Sequence, residues 1–288
     1  MSRSPAAGAV FRAPAAHATF APVPPPHRVS LAERRRLLRA ARAFARRARA
    51  VVQRHVRAGF TKRLKADASY VTDADLAAER TLRTLIGRRF PLHAIVGEEL
   101  PPANAGAPFQ WILDPIDGTL SFTHGLPFYG TIIGVHHEGV PLVGVIDHPA
   151  LGLCYSAAVG LGAWCNGRRL HVTDIPASAR SREVISASDR PRFVRCRRGQ
   201  AFDRLMRIHP QVRGYADCIA HTLAAEGKIG GVVDFGLRLW DIGATQVLVE
   251  EAGGRFACVH RSRDRYGELY GIIAGKPSVV RWLERLFR

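Results

Sequence analysis

The stretch Trp111-Ile112-Leu113-Asp114-Pro115-Ile116-Asp117-Gly118-Thr119 constrains this chain more than any other. An apolar run ends on a carboxylate, a proline fixes φ and removes a backbone N–H, and a second carboxylate precedes glycine and threonine. The run reads as a buried strand that stops at a turn. Asp114 and Asp117 lie three apart across that proline-set turn, so both can face one site. Gly97-Glu98-Glu99 lies upstream, and Trp240-Asp241 heads a helical pattern far downstream. Acids at strand ends and at the start of a helix offer the oxygen ligands that hard divalent cations prefer. The glycine and free amides beside them can receive a phosphate. The pattern points to metal-assisted chemistry on a phosphate ester.

Bulk properties agree with a folded enzyme. The chain has 288 residues, 47% of them hydrophobic, which suits one large domain or two halves and argues against global disorder. The longest apolar run, near residues 140–150, is broken by Pro141, Gly144, Asp147 and Pro149, so no membrane span is expected. Five cysteines form no C-x-x-C pair, which argues against a disulfide scaffold or a zinc site and fits a reducing cytoplasm. The net charge is +18, and only four of the basic residues are lysines (Lys62, Lys65, Lys228, Lys276). Such a surface draws anionic substrates or nucleic acid.

Residues 1–28 are rich in Ala and Pro and contain no acid, so they read as a disordered tail. Ser30-Leu31-Ala32-Glu33 is a capping-box pattern that opens a long helix to about Arg57. Leu37, Leu38, Ala41, Phe44, Ala45 and Val52 recur at helical spacing, and arginines fill the other face. That basic face reads as the solvated side of a packed helix rather than a nucleic-acid surface, because aromatic residues are not interleaved with it. A second helix, from Ala74 to about Arg88, follows the Thr72-Asp73 cap. Short strands near 94–96, 110–113, 131–136, 142–148, 153–157 and 163–165 suggest an antiparallel meander behind the two helices. In the second half, strands near 184–187, 212–214, 232–233, 256 and 271–274 alternate with helices near 202–208, 217–226 and 241–253 and a terminal helix from Pro277. That alternation reads as an α/β half.

The Gly97-Glu98-Glu99, Asp114-Pro115-Ile116-Asp117-Gly118-Thr119 and Trp240-Asp241 motifs, in this order, resemble the inositol monophosphatase superfamily over about residues 29–288. The resemblance implies an α/β (layered α+β) fold, an αβαβα sandwich with sub-halves of about 29–180 and 181–288. It implies Mg²⁺ as cofactor, two or three ions per site. Glu98, Asp114 and the Ile116 carbonyl would bind one ion, and Asp114, Asp117 and Asp241 a second. Glu98 would also orient the attacking water. Asp117, Gly118 and Thr119 would cradle the phosphate, and the Thr119 hydroxyl would hold the nucleophilic water. An acid from the earlier helix supports that threonine in such proteins, and Asp75 matches it, with Thr72 and Lys65 nearby. Members are commonly dimers, so a homodimer is an expectation carried by the resemblance alone.

For the substrate, Gly125 to Thr131, Gly144 to Gly152 and Asp217-Cys218 resemble the histidinol-phosphate phosphatase branch. Asp217 and Asp234 are the expected substrate contacts, because a carboxylate there can pair with an amine or accept hydrogen bonds from hydroxyls. Leu120 departs from the pattern, since many relatives carry a basic or small polar residue there, and the Ile185 to Arg190 segment matches only loosely. The expected reaction is therefore Mg²⁺-dependent hydrolysis of a small phosphate monoester, foremost histidinol phosphate. Inositol-phosphate or nucleotide-type phosphatase activity is the alternative. A basic nucleic-acid-associated protein with a vestigial site is the reading from another class, with nucleic acid the less expected partner.

Overall fold

A computed structural model describes residues 29–215 and 217–287; the Ala/Pro-rich tail lies outside the described residues. Helix α1 (Leu31–Ala58) starts where Ser30 Oγ accepts the Glu33 N–H at 3.2 Å. Leu37, Ala41, Phe44, Ala45, Ala48 and Val52 form its buried stripe, as the helical spacing predicts. A small hairpin, β1 (Lys62–Leu64) and β2 (Tyr70–Thr72), leads into α2 (Asp73–Arg89). This hairpin was not foreseen, because its β1 residues are all exposed and carry no alternating apolar pattern.

The first large sheet has seven strands in sequence order: β3 (Ala94–Gly97), β4 (Phe109–Asp117), β5 (Gly130–His137), β6 (Val140–His148), β7 (Leu153–Ala158), β8 (Gly162–Cys165) and β9 (Arg168–Arg169). Strands β4 to β9 form the antiparallel meander, and β3 joins β4 in parallel with Gly97 beside Leu113. Helix α3 (Thr119–Thr123) is a short turn inserted between β4 and β5.

After a 3₁₀ turn (Ala177–Arg182) come β10 (Ile185–Ala187), α4 (Arg190–Arg195), α5 (Gly199–Ile208), β11 (Val212–Arg213), α6 (Asp217–Ala225) and β12 (Gly231–Leu237). Helices α7 (Leu239–Ile242) and α8 (Thr245–Glu251), strands β13 (Arg255–Asp264) and β14 (Gly267–Gly275), and α9 (Pro277–Phe287) complete the chain. The second sheet has five strands in the order β11-β10-β12-β14-β13, with the first three parallel and the last two antiparallel.

Helices and sheets stack as αβαβα. Helices α1 and α2 cover one face of the first sheet, α6 and α8 lie between the sheets, and α4, α5 and α9 cover the far face of the second. Leu37, Phe44, Leu82, Trp111 and Val145 form the outer core under α1. Ile132, Ile146, Val232, Leu248 and Ile272 fill the space between the sheets, and Phe193 and Phe235 pack against Leu283 and Phe287 of α9. Among the described residues, no helix is long and apolar enough to cross a membrane.

One expectation is corrected. The helix read from Asp241 to Gly253 is broken at Gly243-Ala244 into α7 and α8. The cause is tertiary. The Gly243 and Ala244 backbone presses onto Gly134 of β5 and Gly144 of β6, where an added Cβ would lie 2.3 Å from Gly243 O and 2.5 Å from Ala244 O. His136 Nε2 also bonds Gly243 O at 3.0 Å, and burial lowers the His136 pKa to about 4, so the ring stays neutral. This close approach fixes where Asp241 stands over the first sheet.

Gly134→Ala should therefore cost about 2–3 kcal/mol, because the neighbour is backbone and cannot swing away. Gly87→Ala, in α2 with no atom within 4 Å of the new Cβ, should be neutral or slightly stabilising. Thermal melts of the two variants check the pair; equal effects would contradict the close approach.

Candidate active site

Strand β4 delivers both carboxylates through an irregularity. Residues three apart on a regular strand point to opposite faces. Here Asp114 pairs with Ile132 while Asp117 pairs with Gly130, so three steps on β4 span two on β5. The extra residue makes a β-bulge across Pro115 and Ile116, where two residues of β4 face Thr131 alone, and Pro115 is a residue that a bulge tolerates because it has no N–H for the ladder. Thr131 Oγ1 pins the bulge by donating to Pro115 O at 2.8 Å. The bulge turns Asp117 back to the side of Asp114. Asp241, at the third position of α7, arrives from above with Oδ2 held by the Arg238 N–H at 2.7 Å. One oxygen from each of Asp114, Asp117 and Asp241 lies within 4.8 Å of the others.

Glu98 follows β3, so the parallel register sets it beside Asp114. It stands outside the closest trio and is held by Lys65 Nζ at 2.5 Å; the same ammonium reaches Glu99 at 2.9 Å. A residue that sequence reasoning missed fixes this loop. Glu79 of α2 is fully buried and accepts the N–H groups of Glu99 (2.8 Å) and Leu100 (3.2 Å) and the Arg83 Nε (2.7 Å). Gly97 leaves room for this carboxylate, since a Cβ there would lie 2.1 Å from Glu79 Oε1 and displace it from its hydrogen bonds. The Glu79/Arg83 spacing of four was the available signal.

The structure differs from expectation at Thr119. Its hydroxyl donates to Ile116 O at 3.0 Å rather than to Asp75. Asp75 Oδ2 is occupied by the Thr72 N–H (2.8 Å) and Oγ1 (2.5 Å) in a capping box, and Asp75 Oδ1 is buried without a hydrogen-bond partner. Gly118 caps α3 in the left-handed region (φ 83°), where a Cβ would lie 2.7 Å from Phe128 O.

Burial dominates the electrostatics. Asp114 is pushed well above the usual carboxylate range by desolvation, then by Glu98, Asp117 and Asp241. Asp117 is pushed up by desolvation, Asp217 and Asp241, against the Cys218 N–H that it accepts at 2.5 Å. Desolvation and Glu98 raise Asp241 to about 7, and desolvation raises Asp75 to about 6. Among the described residues, no ion pair reaches Asp114, Asp117 or Asp241, and Asp114 Oδ1 is buried without a partner. An all-oxygen trio, with Asp114 buried, Asp117 and Asp241 at the edge of burial and no cation paired to any of them, fits a hard divalent cation.

A second polar group lies alongside. Asp217 opens α6, and Asp234 is buried in β12. Arg192 of α4, also missed in the sequence, lies 3.9 Å from Asp217 and 4.0 Å from Asp234. His221 Nε2 lies 3.6 Å from Asp234 Oδ2. Burial works to raise the Asp234 pKa, but His221 and Arg192 outweigh it and hold this acid below its ordinary value. Asp217 and Arg192 line a cavity of about 450 Å³ with Ser121, Asp189, Phe202 and Met206.

Comparison with known proteins adds four findings. The sequence profile of the inositol monophosphatase family matches residues 33–286. A histidinol-phosphatase of Chlorobaculum parvum is 39% identical over 218 residues, spanning 75% of this chain and 83% of that protein. A histidinol-phosphatase of Mycobacterium tuberculosis is 36% identical over 194 residues, spanning 66% and 75%. Among solved structures, an inositol monophosphatase from Anabaena superposes with a TM-score of 0.72 at 28% identity, covering 88% of this chain and 95% of that one.

The raised pKa values set a pH dependence. Between about pH 4, the value for an unfolded carboxyl, and the folded values near 6 and 7, the native state binds more protons than the unfolded chain. These groups therefore lower metal-free stability as pH rises through that window. A divalent cation competes with the same protons, so stabilisation by MgCl₂ should be small at pH 5 and grow up to about pH 8. Thermal shifts with and without MgCl₂ test this. A shift that ignores pH, or persists in Asp114→Asn, would contradict the assignment.

Proposed function

The chain belongs to the inositol monophosphatase family and is a phosphomonoesterase; within that class we propose that it hydrolyses histidinol phosphate to histidinol and phosphate with Mg²⁺ as cofactor. The observation that carries the metal-dependent reading is the convergence of Asp114, Asp117 and Asp241 within 4.8 Å. The similarity to two histidinol-phosphatases supports the choice of ester.

In this reading Asp114, Asp117 and Asp241 would hold Mg²⁺, and Glu98 and the Ile116 carbonyl would offer further oxygens. The chemistry that Mg²⁺ would supply there is charge neutralisation at the phosphoryl group and a lowered pKa for water. Glu98 orients that water, and Lys65 keeps the Glu98 carboxylate in place. The Thr119 hydroxyl, fixed by Ile116 O, offers the water a second contact. Gly118 lets the backbone approach the phosphate without a Cβ in the way. Asp217 and Asp234 face the organic part of the substrate. Their negative charge suits an amine, and Phe202 and Met206 supply an apolar wall for a ring. Arg192, shared between the two acids, must yield part of that pairing when a cationic substrate enters. Five free cysteines suit a cytoplasmic setting.

Phosphate release from L-histidinol phosphate and myo-inositol 1-phosphate, each with Mg²⁺ and with EDTA, tests the proposal. A Mg²⁺-dependent preference for histidinol phosphate is expected. A preference for the inositol ester would keep the mechanism and replace the substrate. Asp117→Asn and Asp241→Asn should each lower kcat/KM by about a hundredfold or more, since each removes charge that acts in the transition state. Wild-type rates in either variant would contradict the site.

A further inference from the structure

Lys65 reaches the acidic loop from the β1–β2 hairpin, which forms a two-stranded sheet by itself. Strand β2 is seated on the body of the protein through buried Val71 and Thr72, whereas β1 and the residues 66–69 of the turn after Lys65 are exposed, so the turn that carries the ammonium gains from a further anchor. The turn of the hairpin is locally ordered: Lys65 N–H donates to Ser69 O at 2.7 Å, and Asp67 Oδ1 accepts the Ser69 N–H (3.0 Å) and Oγ (2.6 Å). These bonds shape the turn but do not attach it to the body of the protein.

A further attachment of the turn comes from the other end of the chain. Tyr266, in the turn between β13 and β14, donates its hydroxyl to Ala66 O at 2.7 Å. The Arg265 guanidinium covers the Tyr266 ring, 4.6 Å from its centroid. The Tyr266 N–H donates to Asp264 Oδ1 at 2.9 Å, and Arg238 grips both Asp264 oxygens at 3.0 and 2.9 Å and Glu268 O at 2.9 Å. The backbone N–H of the same Arg238 holds Asp241 Oδ2. A continuous strap thus runs from Asp241 through Arg238, Asp264 and Tyr266 to Ala66, next to the lysine that holds Glu98.

We propose that Tyr266 is a positioning residue: its hydroxyl latches the β1–β2 turn so that Lys65 holds Glu98 and Glu99 in register with Asp241. The inference rests on the reading of the acidic cluster as the phosphatase site. It makes the β13–β14 turn, far from the chemistry in sequence, a determinant of how well the site takes up Mg²⁺. A tyrosine that only packs the turn would act through its ring, whereas the latch acts through the hydroxyl.

Tyr266→Phe in the full chain separates the two, because it keeps the ring and its Arg265 contact. Two readouts apply: the Mg²⁺ concentration for half-maximal phosphate release, and the rate of tryptic cleavage of the metal-free protein after Lys62, Arg63 and Lys65, followed by mass spectrometry. Both should rise about five- to tenfold, the scale of one lost hydrogen bond. Cleavage elsewhere and the Tm should stay as in wild type. Unchanged values in both readouts would overturn the latch. Faster cleavage with an unchanged Mg²⁺ requirement would overturn the positioning role. If the wild type released no phosphate with Mg²⁺, the parent reading would fail instead, and cleavage together with Mg²⁺ binding by calorimetry would still decide the latch.

Discussion

The acidic site depends on a β-bulge in which two residues of β4, Pro115 and Ile116, face the single residue Thr131 of β5. Without the bulge, Asp114 and Asp117 would point to opposite faces of the sheet, one into the outer core and one toward the layer between the sheets. With it, both turn to the side where α7 brings Asp241. Thr131 satisfies the carbonyl that the bulge leaves over, so the irregularity does not strand a polar group. The glycines of β5 and β6 then let the α7–α8 break sit directly on the sheet. Each device is local, and each would be pointless without the others.

The arrangement carries an electrostatic cost. Several buried carboxylates repel one another, and the cations nearby, Lys65 and Arg192, pair with the rim of the group rather than its centre. The extensive apolar packing on both sides of the first sheet holds the acids together despite this repulsion. In the proposed reading, a bound cation relieves it, which makes the metal-free site poised rather than relaxed. The overall charge of +18 fits the same picture, since it attracts phosphate esters to a site that is itself acidic.

Much of this was legible in the sequence. The capped, amphipathic α1, the strand runs and the chain order of the acids follow from local patterns at Ser30, Leu37 and Asp114. The αβαβα layering came from family resemblance, and the observed sheets bear it out. What local patterns could not show was set by distant partners. The α8 segment reads as one helix with α7 because only the contact with Gly134 and Gly144 breaks it. The β1–β2 hairpin is too exposed to carry a periodic signal. Glu79 looks like an ordinary surface acid on α2, yet it braces the Glu98–Glu99 loop. Asp75 was matched to Thr119 by analogy, whereas the short bond available within its own capping box goes to Thr72. Arg192 gave no sign of its role, because only the fold brings α4 to Asp217 and Asp234.

The central claim is that the Pro115 bulge gathers Asp114, Asp117 and Asp241 into a divalent-cation site. Crystals soaked in MnCl₂, with anomalous scattering recorded at the manganese edge, test it without reference to any substrate. The account predicts a peak coordinated by oxygens of all three aspartates. Manganese bound elsewhere, with no peak among these carboxylates in an intact lattice, would contradict it.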